Sequence, residues 1–301
     1  MGKKGASVMS PHVDGFGQRY RPLDHPLQSR REILRGFLTS SIWETVKNPL
    51  IILLLLFNSF FILIAVMMTY FGITEMTWVQ PDVPVKYVER IMTDSISMYF
   101  IVGYWIFILY GAYIGPKLLT QPMEDRSVTL YTCRPITKLD YLMVRMGTFC
   151  TFLAFLTFLP VIIIFGVGIG LADIPFSDKL SLMWILPAGL GVAVLVMITV
   201  AFVSMAVSSL TNKMAWAVGG VFMVFFMPTV VGGVLYGMTG NEHFLAMSLW
   251  FNVEVVMNHL FSIQIMTHDI HWSLSLGILL GVSAFCLWIT AVKVTTTEVG
   301  T

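Results

Sequence analysis

Leu50-Ile-Ile-Leu-Leu-Leu-Leu-Phe-Asn58-Ser-Phe-Phe-Ile-Leu-Ile-Ala-Val-Met-Met-Thr-Tyr-Phe-Gly72 contains no charged residue and a single amide, Asn58. A hydrocarbon core about 30 Å thick is crossed by roughly 20 apolar residues in a helix, so this run predicts a transmembrane span. Five further runs meet the same length: 98–119, 141–171, 182–210, 214–238 and 272–294. The expected fold class is an all-α integral membrane protein with six transmembrane helices, its membrane domain covering 49–294.

Composition points the same way. Of 301 residues, 56% are hydrophobic and only 12% are charged, and the mean hydropathy is +0.80. A soluble domain of this size carries about 25% charged residues. So few charges cannot screen so much apolar surface from water. The solvent is lipid.

Charge placement sets the orientation. Of the 18 Lys and Arg residues, fifteen lie in the segment ending at Lys47, the loop from Lys117 to Arg145, the turn at Lys213 and the tail at Lys293. The alternate segments hold Lys86, Arg90 and Lys179, and 239–271 holds none. Basic loops stay cytoplasmic, which places both termini in the cytoplasm. Of the three cysteines, Cys133 falls in a cytoplasmic loop and Cys150 and Cys286 inside spans, so no disulfide framework is expected outside. The polar opening of the chain does not read as a cleavable signal peptide.

Residues 1–29 are polar and aperiodic and read as an extended cytoplasmic tail. In 30–48, Ile33, Leu34, Phe37, Leu38, Ile42 and Val46 recur at helical spacing among Arg30, Arg31, Arg35, Glu44 and Lys47. That pattern predicts an amphipathic helix in the cytoplasmic interface, anchored by Phe37, Ile42, Trp43 and Lys47. Asn48-Pro49 then turns the chain into the membrane. Residues 295–301 form the other cytoplasmic tail. Trp78, Trp105, Trp184 and Trp272 are read as lying near span ends or within reach of an interface.

Several function classes are disfavoured. The six runs contain no Asp or Glu, and their basic residues, Lys117, Arg145 and Lys293, sit at run ends. Ion-coupled transporters and proton pumps need ionisable groups near the membrane centre, commonly within inverted repeats. There is no phosphate-binding Gly-rich loop followed by Lys-Ser/Thr. Gly166, Gly168 and Gly170 lie inside a span and read as points of close helix contact. No nucleophile stands beside a base, so the chain is not expected to be an enzyme. No nucleic-acid partner is expected.

The loop after the second span reads Gly115-Pro-Lys-Leu-Leu-Thr-Gln-Pro122-Met-Glu124-Asp125-Arg126-Ser-Val128-Thr129-Leu130-Tyr131-Thr-Cys-Arg134-Pro135-Ile136-Thr137-Lys138-Leu-Asp140-Tyr141-Leu-Met-Val144-Arg145. Charges surround a short amphipathic stretch, Glu124–Tyr131, that Arg134-Pro135 stops. Thr137 is a candidate N-cap for the helix that re-enters the membrane. A short, charged helix between two spans is something a soluble motor can push on.

These residues resemble the ABC-2 type permease family, the membrane subunits of type V ABC exporters. In that family an acidic residue precedes Gly-Thr-Leu, followed by Pro, a small apolar residue, Ser/Thr and a basic residue, with a further basic residue opening the third span. Glu124, Thr129-Leu130, Pro135-Ile136-Thr137-Lys138 and Arg145 match; Val128 stands where Gly is usual and Arg145 where Lys is common. The basic helix before span one and the Ser208–Lys213 turn fit as well. Within the family, the likeness is to the permeases of nitrous-oxide-reductase maturation.

The resemblance implies a plasma-membrane exporter in which two permease subunits, alike or different, pair. Two cytosolic ATPase subunits would dock on 117–140 and bring ATP and Mg, so this chain binds no cofactor itself. The coupling residues would be Glu124, Asp125, Arg126, Thr129, Leu130, Arg134, Pro135, Thr137, Lys138 and Arg145.

Two other readings stand beside it. One is a structural or accessory subunit of a larger membrane complex. The other is a metal-binding membrane protein using His243, His259, His268 and His271, with Glu242, Glu254 and Asp269 nearby. Against the metal, Leu249, Trp250, Val253, Val256, Met257 and Leu260 recur at helical spacing, as in a plain amphipathic segment before span six. The 20 methionines, Met67, Met68, Met92 and Met98 among them, suit cuprous ion or irregular helix contacts. Pro160, Pro187 and Pro228 interrupt spans three to five as hinges or as static kinks.

Overall fold

The computed structural model describes residues 29–79, 84–124, 137–262 and 270–296, and every element among them is helical. In chain order these are α1 (Arg30–Val46), α2 (Pro49–Val79), α3 (Val85–Glu124) and α4 (Lys138–Leu171). A short α5 (Phe176–Ser181) leads through a 3-10 turn (Leu182–Trp184) into α6 (Ile185–Leu210) and α7 (Met214–Thr239). A 3-10 segment (Glu242–Met247) precedes α8 (Leu249–Leu260), and α9 (Trp272–Thr296) closes the order. Six helices are long and apolar enough to cross a membrane: α2, α3, α4, α6 with its lead-in, α7 and α9.

The second span departs most from its expected bounds. The reading began it at 98, whereas α3 starts at Val85 and runs 40 residues, about 60 Å at 1.5 Å per residue. Glu89, Arg90 and Asp94 stop an apolar count without stopping a helix. Arg90 and Asp94 pair at i,i+4, 3.6 Å apart, while Val88, Met92 and Ile96 on the other side are buried. At its far end α3 continues through Pro116 to Glu124, so 115–124, expected to open the loop, is helix. Trp105 consequently sits midway along α3 and not near an end.

Burial sorts the spans. For α3, 72% of the membrane-crossing window is enclosed, with 50% for α4 and 56% for α6; α2, α7 and α9 show 17%, 17% and 22%. Three helices therefore make the centre and three make the rim. Lipid tails are as apolar as the side chains, so helix association rests on close packing and interhelical hydrogen bonds. One close approach is Gly111-Ala-Tyr-Ile-Gly115 of α3 against Ser204 and Ser208 of α6. A Cβ on Gly111 would stand 2.5 Å from Ser204 Oγ and 2.9 Å from Val200 Cγ1. Of the three glycines read as contact points in α4, only Gly168 is one: a Cβ there would stand 2.7 Å from Met92, whereas Gly166 and Gly170 face open space.

Consecutive spans alternate in direction, giving the bundle two ends. The basic end gathers α1, the start of α2, the end of α3, the start of α4, the 211–213 turn and the end of α9. The opposite end carries α5 and the 3-10 segment, from which α8 reaches in to pack on Tyr104, midway along α3.

Candidate functional site

The site is built where α1, α2, α3 and α4 meet at the basic end. Thr137 caps α4: its hydroxyl accepts the Asp140 N–H at 3.2 Å and its own N–H donates to Asp140 Oδ2 at 3.1 Å. That reciprocal box satisfies two backbone donors that a helix start leaves open. One turn on, Tyr141 and Arg145 lie on the same side of α4, four residues apart.

Arg145 is only 6% exposed. Its Nη1 donates to Ser41 Oγ of α1 at 2.9 Å. Its guanidinium lies 5.1 Å from the centre of the Phe37 ring and 5.2 Å from that of Tyr141, and those two rings stack 6.0 Å apart. A planar cation is held by ring faces and one hydroxyl, an arrangement suited to Arg and poorly copied by Lys. The side of α1 that bears Phe37 is thus clamped onto α4.

The four residues read as interfacial anchors divide accordingly. Phe37 and Ile42 are half-buried against the protein, whereas Trp43 is 61% exposed with Lys47 Nζ 5.0 Å over its ring. Ser29 and Glu32 form a second capping box at the start of α1, a Ser-x-x-Glu signal legible in the sequence although not used.

Further ties fix the surrounding helix ends. Pro122 has no N–H, so the Leu118 carbonyl four residues back lacks its helical donor. The Tyr141 hydroxyl reaches it at 3.4 Å, linking the end of α3 to the start of α4. Thr120 Oγ1 donates to the Ser208 carbonyl at 2.9 Å, and Asn48 Nδ2 donates to the Tyr113 hydroxyl at 2.8 Å. Lys117 Nζ lies 5.7 Å from the Tyr113 ring centre. Neither Ser41 nor Tyr113 was foreseen, because neither carries a sequence signal beyond its helical position.

Of the expected coupling residues, Glu124 ends α3, Thr137 caps α4, Lys138 opens it and Arg145 is packed against α1. Asp125, Arg126, Thr129, Leu130, Arg134 and Pro135 lie outside the described residues, as do Cys133 and His268. Among the described residues no three His, Cys, Asp or Glu side chains gather as a metal site would require. His259 instead stacks on Trp272, centroids 4.6 Å apart and 7° from parallel, and His271 lies 5.7 Å from the same ring. The residues read at helical spacing before span six do form one helix, α8, capped by Ser248. Its Trp250 stacks on Tyr104 of α3 at 4.3 Å. Beneath them Phe107, Thr199, Val200 and Phe225 help line an apolar cleft with room for about 10 Å³, no more than one water.

No protein-family model matches this chain, and no curated protein matches it.

Proposed function

We propose that this chain is the permease subunit of an ABC-2 type exporter, driven by cytosolic ATPase subunits that bear on the segment between α3 and α4. The observation that supports this most is the mounting of that segment. It leaves from α3, the most enclosed helix, and returns into a capped α4 that is clamped to α1. Tyr141 ties its two ends together through the Leu118 carbonyl. A force applied to 125–136 therefore enters the centre of the bundle and cannot dissipate in loose helix ends.

Energy from another chain also suits what the membrane runs contain. Their uncharged central stretches hold no carboxylate to carry a coupling ion, Glu89 and Asp94 lying near the start of α3, and the enclosed Arg145 is engaged with α1. The exposed apolar faces of the rim helices leave room for the second permease subunit that the reading requires. With the basic end in the cytoplasm, Trp43 and Lys47 would lie at the headgroup level of the inner leaflet.

The test is mild-detergent purification of the tagged chain, with mass spectrometry of its partners and an ATP-turnover assay. A nucleotide-binding subunit that co-purifies, and is lost on reversing Glu124 and Arg126 together, is the expected result. Recovery of membrane proteins alone, without ATP turnover, would replace this reading by that of an accessory subunit.

A further inference from the structure

Near the middle of α4, Pro160 interrupts the backbone ladder. Having no N–H, it leaves the Leu156 carbonyl without its i+4 donor, a costly vacancy where no water competes. The Tyr99 hydroxyl of α3 fills it at 2.7 Å. The same oxygen lies 2.9 Å from the side-chain amide of Asn58 on α2, and both Tyr99 and Asn58 are about 2% exposed. One hydroxyl proton cannot serve two acceptors. Since Leu156 only accepts, the set is complete when Tyr99 donates to it and the Asn58 amide turns its NH2 to the Tyr99 oxygen, a rotation that leaves its shape unchanged.

We propose that Tyr99 is a latch on a hinge in α4. Its hydroxyl supplies the hydrogen bond that Pro160 removes and so fixes the angle between the two halves of the helix. The halves are held by different neighbours. Beyond Pro160, Gly168 is pressed against Met92 of α3. Before Pro160, Tyr141 and Arg145 are fastened to α1, and the Tyr141 hydroxyl also reaches the Leu118 carbonyl at the far end of α3. Breaking the hydrogen bond at Leu156 therefore lets the basic half of α4 tilt together with α1 and the end of α3 that Tyr141 holds, while the other half stays seated on Met92. Pro160 is thus a hinge rather than a fixed kink, and Asn58, the sole amide of the opening run, keeps the latch aimed. The inference goes beyond the transport reading and holds whatever supplies the force.

The experiment uses the full chain in detergent or nanodiscs. Spin labels at Met143 and Ile162, both exposed on α4 and flanking Pro160, report the angle as a distance distribution. The unsubstituted chain should give one narrow distance, and Tyr99→Phe should add a second or broaden it. Restoring the N–H with Pro160→Ala should return Tyr99→Phe to a single distance. In unfolding measurements Tyr99→Phe should raise the unfolded fraction by roughly 3- to 20-fold, the range of interhelical hydrogen bonds in membranes. That factor should fall towards one in the Pro160→Ala background. An unchanged distance distribution in Tyr99→Phe would overturn the latch, leaving the hydroxyl as a filler of one carbonyl. An equal stability cost in both backgrounds would overturn the link to Pro160. Should Pro160→Ala fail to fold, the distance comparison between Tyr99→Phe and the parent still decides.

Discussion

At the residue scale, Arg145 carries the largest change in meaning between sequence and structure. Its position at the start of a span reads as a charge facing the cytoplasm. Instead it is enclosed and spent on Ser41, Phe37 and Tyr141. Sequence spacing cannot reveal this, because its partners are more than 100 residues away or on its own helix at i−4. Lysine keeps the charge but loses the planar fork and the ring contacts. Arg145→Lys should therefore cost about 1.5–3 kcal/mol, the range for a hydrogen bond to a charged group. The loss should be local: hydrogen exchange should accelerate across Arg30–Val46 with little change in α6. Unchanged protection of α1 would mean that Arg145 does not hold it. Ser41→Ala should move the same amides in the same direction by a smaller amount, because it removes the hydroxyl and leaves the rings.

At the element scale, the helices that were legible are those with long uncharged runs. The third, fifth and sixth spans lie within a few residues of α4, α7 and α9 at both ends, and the first does so at its start, while α2 runs on past Gly72 to Val79. The second was not legible in this way, because its start mixes Glu89, Arg90 and Asp94 with buried Val88, Met92 and Ile96. A count of charges sees the exposed side of that turn and misses the enclosed one. Small residues were the other gap. Gly111 and Gly115 appear as any glycines do until Ser204 and Ser208 are known to cross them. The adjacent pair Gly232 and Gly233 in α7 isolates this effect. A Cβ on Gly232 would stand 2.5 Å from the Phe244 carbonyl oxygen, which is backbone and cannot step aside, whereas one on Gly233 meets nothing. Alanine gains up to about 1 kcal/mol of helix propensity at either site. Gly233→Ala should be neutral or stabilising in thermal unfolding, and Gly232→Ala should be destabilising by about 1–3 kcal/mol, the usual cost of overpacking. Equal melting temperatures would show that the 3-10 segment after α7 shifts freely and is not packed on it.

At the scale of the whole molecule, the two ends differ in charge. Among the described residues, Arg30, Arg31, Arg35, Lys47, Lys117, Lys138, Arg145, Lys213 and Lys293 belong to segments at one end, and Lys86, Arg90 and Lys179 to the other; residues 125–136, which carry most of the expected coupling residues, lie outside the described residues. What the sequence made legible about the site was therefore Thr137 capping the helix that re-enters the membrane and the expectation of a charged piece before it; that the preceding helix runs on to Glu124 was not legible. What it concealed was the enclosure of Arg145 and the tyrosine bridge to the Leu118 carbonyl, both of which depend on pairs distant in sequence. The same asymmetry makes a prediction for the assembled bundle in its membrane. Translocating basic loops is unfavourable, and the bias acts on residues close to span ends. Asn212, in the turn between α6 and α7, and Asn241, just after α7, are both exposed and lie at opposite ends of one helix. With Cys133, Cys150 and Cys286 replaced by serine, a cysteine at Asn241 should react in intact cells with a membrane-impermeant maleimide. A cysteine at Asn212 should react only after permeabilisation. The reverse pattern would put the basic end outside, leaving an ATPase no access to the segment between α3 and α4, and would sink the transport reading without touching the latch at Tyr99.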